Sequence, residues 1–555
     1  MTKKKPKIIW SGEASFLNTG FSVIANQILS RLYDTNKYEI VEIGSYAKTS
    51  DPRSNELPWT FYGVIPEDHE TKYKQEFDSS VYAQFGEKRL PHVMLQEKPD
   101  ALICITDQWM SSKFQLKNPF IKFVKYILHP TIDGRPQKNE WIDDYFKADL
   151  LLSYTTFGRD TLLNQTAGRL KVFDVTRPTV DHHTFKPMDK KKIRQKFGID
   201  ENAKIIMTTM RNQRRKLFPD LIEDFVKLIN HARDRQNEEL ANNTYLLLHT
   251  SYPDVGFDIP YHLKRNNIGH KVIMTYCCNA CGHYYVDHYH GEQVICPRCN
   301  NLSAHMPNSS NGVTRQQLAE IFNLANLYVQ YSLCEGLGCP IGEAKACEVP
   351  TLAVDYSAMS EQVEIDGCDK IRVDKFFWEP ITETSQYRAL PDSEDFVHKA
   401  YNFLTSPEWQ IKEWGRNARE DVVENFSFDR AAKIFENALD HLDYPDHETT
   451  WMNPSLNLIQ PNMQFPPNLD NNSFVQWCVE NVLQKPDLFA QSEINEFVKS
   501  LNCGFMNDRS GRKEFTKEVF VNHMLNLVQF YNQWEQARYD KLIEKPSNSV
   551  GYAIL

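Results

Sequence analysis

Along the first 180 residues, short runs of apolar side chains alternate with stretches of helical periodicity. Lys7-Ile8-Ile9-Trp10 reads as a strand, Ser11 to Phe21 as a loop, and Ser22 to Leu32 as a helix, because its apolar residues recur at helical spacing. Further apolar runs at 40–43, 101–105, 123–128 and 150–154 predict strands, with helical stretches between several of them. Such continuous runs, rather than an apolar/polar alternation, are what a parallel sheet covered on both faces requires. The pattern breaks at Arg177-Pro178 and begins again with runs at 204–209, 245–248, 272–274, 327–330 and 351–354. Two α/β units in tandem, 1–178 and 179–445, are the simplest account.

Residues 277–312 interrupt the second unit with a cysteine- and histidine-rich insert that lacks any helical pattern. The Pro/Asn-rich stretch 446–470 reads as a linker, and 471–555 as a helical appendage, for example along Phe520 to Val528. Composition narrows the classes. With 63 Lys+Arg against 73 Asp+Glu the formal charge is -10, which excludes the overall positive field of a non-specific nucleic-acid binder but leaves room for a local basic groove. No apolar run approaches the ~20 residues needed to cross a bilayer, so no membrane insertion is expected. Twelve cysteines in 555 residues are too few for a disulfide scaffold. A cytoplasmic location is therefore expected.

Three constellations carry chemistry. Cys278-Asn279-Ala280-Cys281 and Cys296-Pro297-Arg298-Cys299 are separated by fourteen residues, and together supply four thiolates in the pattern of a closed, structural zinc site. Four thiolates leave no open coordination position, so a catalytic zinc is not expected. Cys277, His283, His288, His290 and His305 stand near enough to substitute for one ligand. The second constellation is Glu335-Gly336-Leu337-Gly338-Cys339-Pro340-Ile341-Gly342-Glu343. Pro340 suits a first helical turn, and the glycines before it let free amides approach an anion at that helix start. Third, the strand at 205–207 runs into Arg211-Asn212-Gln213-Arg214-Arg215-Lys216 and then a helix, placing cations where a phosphorylated ligand sits at the carboxyl end of a parallel sheet. Each of the last two also admits a plain alternative: a dipole partner with a solvated loop charge, and an ordinary solvated loop.

In this order, the elements resemble the retaining glycosyltransferases of the family-4 type, over much of residues 7–445. Arg211 and Lys216 match that family's R-x4-K pair, and Glu335 and Glu343 its E-x7-E motif. The segment 325–332 leads into the second motif, 344–351 follows it in register, and Thr179-Val180-Asp181 with Phe185-Lys186-Pro187 resembles the family's interdomain segment. Asn18-Thr19-Gly20 occupies the place of the glycine-rich loop, and His129 that of the donor-site histidine, with Asp107 a second candidate on the same cleft. Thr179 and Glu348 stand where relatives have glycine.

The resemblance implies a GT-B fold: two Rossmann-like domains facing a cleft, here with a zinc-ribbon insert and a C-terminal helical appendage. It implies a nucleoside-diphosphate sugar donor, UDP-sugar favoured, bound by Gly20, Arg211, Lys216, the Gly336-Leu337-Gly338 amides and Glu343. Glu335, His129, Arg211 and Lys216 would act at the reacting centre, without a catalytic metal. The chain also resembles glycosyltransferases carried by tailed bacteriophages. Together with the ribbon, that likeness suggests a 5-hydroxymethylpyrimidine in DNA as acceptor. A polysaccharide, protein or small-molecule acceptor is the alternative, and a non-catalytic sugar-nucleotide or nucleic-acid binding module is the alternative of another class.

Overall fold

The computed structural model describes residues 5–111, 118, 120–121, 124–308, 311–380, 384–444 and 476–477. The expected linker and, but for 476–477, the expected appendage lie outside the described residues. The first sheet comprises β1 (Lys7–Glu13), β2 (Glu39–Lys48), β3 (Thr60–Ile65), β4 (Ala101–Cys104), β5 (Lys125–Leu128), β6 (Leu150–Ser153) and β7 (Asp174–Val175). Its order is β3-β2-β1-β4-β5-β6-β7, and every pairing is parallel. Ile8, Trp10, Ile103 and Leu152 are completely buried in its core. The chain reverses direction across the sheet between β1 and β4, and ligands of such sheets bind at the carboxyl ends of the strands flanking that point.

The second sheet repeats the plan with β8 (Lys204–Thr209), β9 (Thr244–His249), β10 (Val272–Cys278), β14 (Leu327–Gln330), β15 (Thr351–Val354) and β16 (Cys368–Ile371). Between β10 and β14 the insert contributes β11 (Tyr284–Asp287), β12 (Gln293–Ile295) and β13 (Leu302–His305). The parallel strands run β10-β9-β8-β14-β15-β16, with the reversal between β8 and β14. The insert strands add to β10 antiparallel, β11 along one side and β13 at its far end. A separate ribbon, β17 (Val373–Trp378) and β18 (Tyr387–Pro391), completes the second unit.

Helices follow from local sequence. Thr19 caps the helix Gly20–Asp34, whose Ile24, Ala25, Ile28, Leu29 and Leu32 form one buried face. The last described helix, Phe428–His441, follows the second unit in sequence but packs on the first: Phe435 lies 5.5 Å from Trp10, ring centre to ring centre. Its buried stripe Ala431, Ile434, Phe435, Ala438 and Leu439 is helical in period, which identifies a helix but not the sheet it covers. This return ties the two units together. No helix among the described residues is long and apolar enough to cross a membrane.

Candidate functional site

The loops leaving β8 and β14 start from adjacent strands, so Lys216 and Glu335, 119 residues apart, meet at the reversal point. Leu333 N donates to Arg215 O at 2.8 Å, fastening one loop to the other. Glu335 Oε1 accepts from Gln330 Nε2 at 2.6 Å, from Ser332 Oγ at 2.7 Å and from the Lys216 ammonium. The Glu335 backbone N–H donates to Ser357 Oγ at 2.9 Å. Burial opposes charge on this carboxyl, but the adjacent Lys216 and Arg215 cations overcome it and hold Glu335 below the usual carboxylate range. It is a buried ion pair, and the neutral donors of Gln330 and Ser332 share the carboxylate oxygen that Lys216 bonds, which offsets part of the cost of burying charge.

Gly338, at φ 80°, opens the helix Cys339–Ala346, with Pro340 in its first turn as the sequence predicts. Gly336 has no room for a side chain: a Cβ there would stand 2.1 Å from Thr131 Cγ2 of the first unit. Leu337 is buried in the first unit's core cluster, so this loop is itself part of the contact between the two units. Glu343 is buried and meets Arg315 Nη2 at 2.7 Å. The residue before it, Gly342, faces Thr179, whose Oγ1 would be 2.3 Å from an added Cβ.

Arg211 is placed differently from Lys216. Its side chain is 54% exposed and makes a two-pronged bond to Asp254, at 2.8 and 2.9 Å. The cation that faces Glu335 together with Lys216 is Arg215, which also faces Asp133 and Asp107 of the first unit. Asp133 Oδ1 receives Arg388 Nη1 from β18 at 3.1 Å, and Arg388 Nε reaches Glu379 at 2.8 Å. Burial and the neighbouring Asp133 push the Asp107 carboxyl up, against the pull of Arg215. Thus Asp107, Asp133, Arg215 and Arg388 span the cleft. Sequence reasoning placed Arg215 in its cationic run without a role and passed over Asp133 and Arg388. The Asp133-Gly134-Arg135 turn after β5 was a usable signal; for Arg388, on a strand remote in sequence, there was none.

On the first unit, Thr19 Oγ1 donates to Glu13, and a Cβ at Gly20 would meet nothing within 4 Å, leaving open space at that helix start. His129 follows β5 and is fully buried: Nε2 lies 2.8 Å from Thr176 Oγ1, and the ring packs edge-on to Tyr154 at 3.8 Å and against Phe435 at 5.5 Å. Burial lowers its pKa to about 3, so the ring is neutral at physiological pH. These contacts tie His129 to the first unit's core, and none of them joins it to the Lys216–Glu335 pair.

The sulfur atoms of Cys278, Cys281, Cys296 and Cys299 lie within 4.8 Å of one another, with Cys278–Cys299 and Cys281–Cys296 at 3.7 Å. A tetrahedron with Zn–S bonds of about 2.3 Å has edges of about 3.8 Å, so the four thiols fit this ion. Cys277, a conceivable substitute, lies apart from the cluster, with its thiol 3.6 Å from the His305 carbonyl. The insert is seated on its own unit through Tyr284, which bonds Glu320 and Lys196, and through the Tyr252–Tyr289 edge contact at 6.0 Å.

No protein-family profile matches the sequence, and no curated protein does. Solved structures do. A glycosyltransferase from Rickettsia africae ESF-5 aligns over 79% of this chain and 100% of its own, with TM-score 0.52 and 14% identity. Sucrose-phosphate synthase from Thermosynechococcus elongatus aligns over 79% and 98%, with TM-score 0.54 and 14% identity. Anabaena HepE in complex with UDP and glucose aligns over 79% and 100%, with TM-score 0.53 and 14% identity. At that identity the likeness establishes architecture: two parallel-sheet units facing a cleft, the GT-B fold of these glycosyltransferases.

Proposed function

We propose that this chain is a glycosyltransferase that moves a sugar from a nucleoside-diphosphate sugar, UDP-sugar favoured, to an acceptor hydroxyl with retention at the anomeric carbon. The observation that carries this reading is the buried Lys216–Glu335 pair, with Arg215 beside it, at the carboxyl ends of β8 and β14. In the reaction the bond from the anomeric carbon to the diphosphate oxygen breaks, and its electron pair leaves with the phosphate. A bond forms from the acceptor oxygen to the same face of that carbon, and the acceptor's proton passes to the departing phosphate. Lys216, Arg215 and the amides around Gly338 are held in place before the charge develops, and each such donor is worth roughly 3 to 4 kcal/mol of barrier. Glu335 favours the charged form of Lys216 against the burial that lowers its pKa, and offers a carboxylate to sugar hydroxyls; Glu343, oriented by Arg315, would bind ribose hydroxyls.

HepE with UDP and glucose is the neighbour that favours a uridine donor. The DNA acceptor expected from the sequence rested on the likeness to phage glycosyltransferases together with the cysteine insert. The insert's contacts named above are with its own unit, so no specific observation favours that acceptor, and the reading stops at a hydroxyl. The four-cysteine cluster would hold a structural zinc, which supplies cross-linking of a segment too short to bury its own core.

The test is a panel of UDP-sugars with mixed acceptors, scored for UDP release and for the anomeric configuration of the product by NMR. Release and transfer with retention, resistant to EDTA and abolished in Glu335→Gln, support the proposal. Wild-type protein that neither binds UDP nor turns over any UDP-sugar overturns it in favour of a different use of the fold.

A further inference from the structure

The first unit's wall of the cleft carries two exposed aromatic rings backed by a third that is buried. Tyr46 at the end of β2 is 42% exposed and Trp109 just beyond β4 is 40% exposed. Both set an edge against the buried Phe85, with ring centres 6.0 Å apart at 87° and 5.2 Å apart at 89°. β2 and β4 flank β1, so these rings stand at the same carboxyl-end face as the donor loops.

Backbone geometry points to a purpose for Tyr46. It sits in the left-handed region, φ 64°, where a bulky side chain is strained. The pairing of β2 with β3 slips between Gly44 and Lys48, so Tyr46 rides on a bulge, a device that re-aims side chains beside functional sites. The bulge is locked from behind. A Cβ on Gly63 would stand 2.2 Å from the Lys48 carbonyl carbon, and Gly63 N donates to Thr49 Oγ1 at 2.9 Å.

The charges around the rings narrow the ligand. Glu13, Asp107 and Arg211 lie within electrostatic reach of the Tyr46 hydroxyl, which burial and those two carboxylates push up to about 12. Facing this wall, Arg211 is bonded to Asp254 and Arg388 to Asp133 and Glu379, so two of the cleft's arginines are already paired. An anionic polymer would have to bring its phosphates beside Glu13, Asp107 and Asp133. An uncharged ring with an apolar C–H face and a rim of hydroxyls meets both halves of the surface: C–H groups on the aromatic faces, hydroxyl donors to the carboxylates.

Taking the transferase reading above as its premise, we propose that Tyr46, Phe85 and Trp109 form the acceptor subsite, and that it takes an uncharged saccharide whose ring lies on Tyr46 and Trp109 and whose hydroxyls bond Glu13 and Asp107. The experiment needs no turnover: an array of neutral oligosaccharides is probed with the full chain, with and without UDP. Wild type, Tyr46→Ala, Trp109→Ala and Trp109→Phe are compared, and UDP affinity is measured by calorimetry on each as a check of folding.

The proposal expects wild-type binding to a subset of glycans, a loss of about tenfold or more in each alanine variant, retention in Trp109→Phe and unchanged UDP affinity. No glycan bound under either condition would overturn it, as would equal binding by the alanine variants. Binding of hydroxymethylated duplex DNA through the same rings, with glycans ignored, would overturn it in favour of a nucleic-acid acceptor. Glycan binding lost in the alanine variants, in a protein that turns over no UDP-sugar, would uphold the subsite and sink the transferase reading instead.

Discussion

The two walls of the cleft solve the problem of polar groups near a core in opposite ways. On the second unit, charge is buried and paired: Lys216 with Glu335, and Glu343 with Arg315. On the first unit, His129 is buried without charge, and exposed aromatic rings stand beside Glu13 and Asp107. A wall of preset charges costs little reorganisation when an anionic group departs, whereas a wall of rings and hydroxyl acceptors can seat neutral ligands. The contrast matches the proposed placing of donor on the second unit and acceptor on the first.

The largest effect is expected at the insert of the second unit. Replacing Cys296, fully buried at the cluster, with Ser should abolish stoichiometric zinc in elemental analysis and release the insert to limited proteolysis near 279–300. Wild-type protein purified without chelator and found free of zinc would contradict the assignment.

Next in size is Lys216→Ala, which removes the bonded partner of the buried Glu335 and leaves Arg215 as its neighbouring cation. A loss of about 10²- to 10³-fold in transfer rate is expected, together with about 3 to 5 kcal/mol of stability in denaturant titrations. Glu335→Gln in the Lys216→Ala background should restore much of the stability and none of the activity. That separates the pair's contribution to folding from its chemistry.

The core behind the first wall is tested by acid. His129 has a folded pKa of about 3 against an ordinary value near 6.5, so below 6.5 the unfolded chain binds a proton that the folded one refuses. Its contribution is fully present above pH 6.5 and is lost as pH falls toward 3, at about 1.4 kcal/mol per unit. His249, lowered to about 4 by burial, adds a similar slope. Urea midpoints for His129→Gln should therefore fall less steeply than wild type between pH 6 and 4, with the difference amounting to about 2 kcal/mol. An identical slope would show that His129 is hydrated or paired in solution.

The smallest effect is expected from Arg211→Ala. Its exposed bond to Asp254 carries little stability, so melting should stay near wild type and transfer should drop by about tenfold, far less than for Lys216→Ala. Equal losses in both variants would mean that Arg211 leaves Asp254 and joins Lys216 when donor binds.

Much was legible without the fold. The apolar runs marked the parallel strands, because strands buried on both faces must be apolar throughout. The paired knuckles marked the cysteine cluster, because its four ligands arise within 22 residues and their spacing is a local matter. Pro340 and Gly338 marked the helix start, which depends only on backbone conformation. These features share one physical basis: each is decided by residues close together in the chain.

What only the tertiary structure decided depends on residues far apart. Arg215 joins Lys216 on Glu335 while Arg211 turns to Asp254; Arg388 crosses the cleft to Asp133; the helix Phe428–His441 closes the first unit's core rather than the second's. A charge pair costs free energy unless both partners arrive in good geometry, and nothing in a local sequence window reports where the partner comes from. Tyr46 shows the same limit. Its strained backbone exists because Gly63, on the neighbouring strand, leaves room for the bulge, so the residue that aims the ring lies 17 positions away.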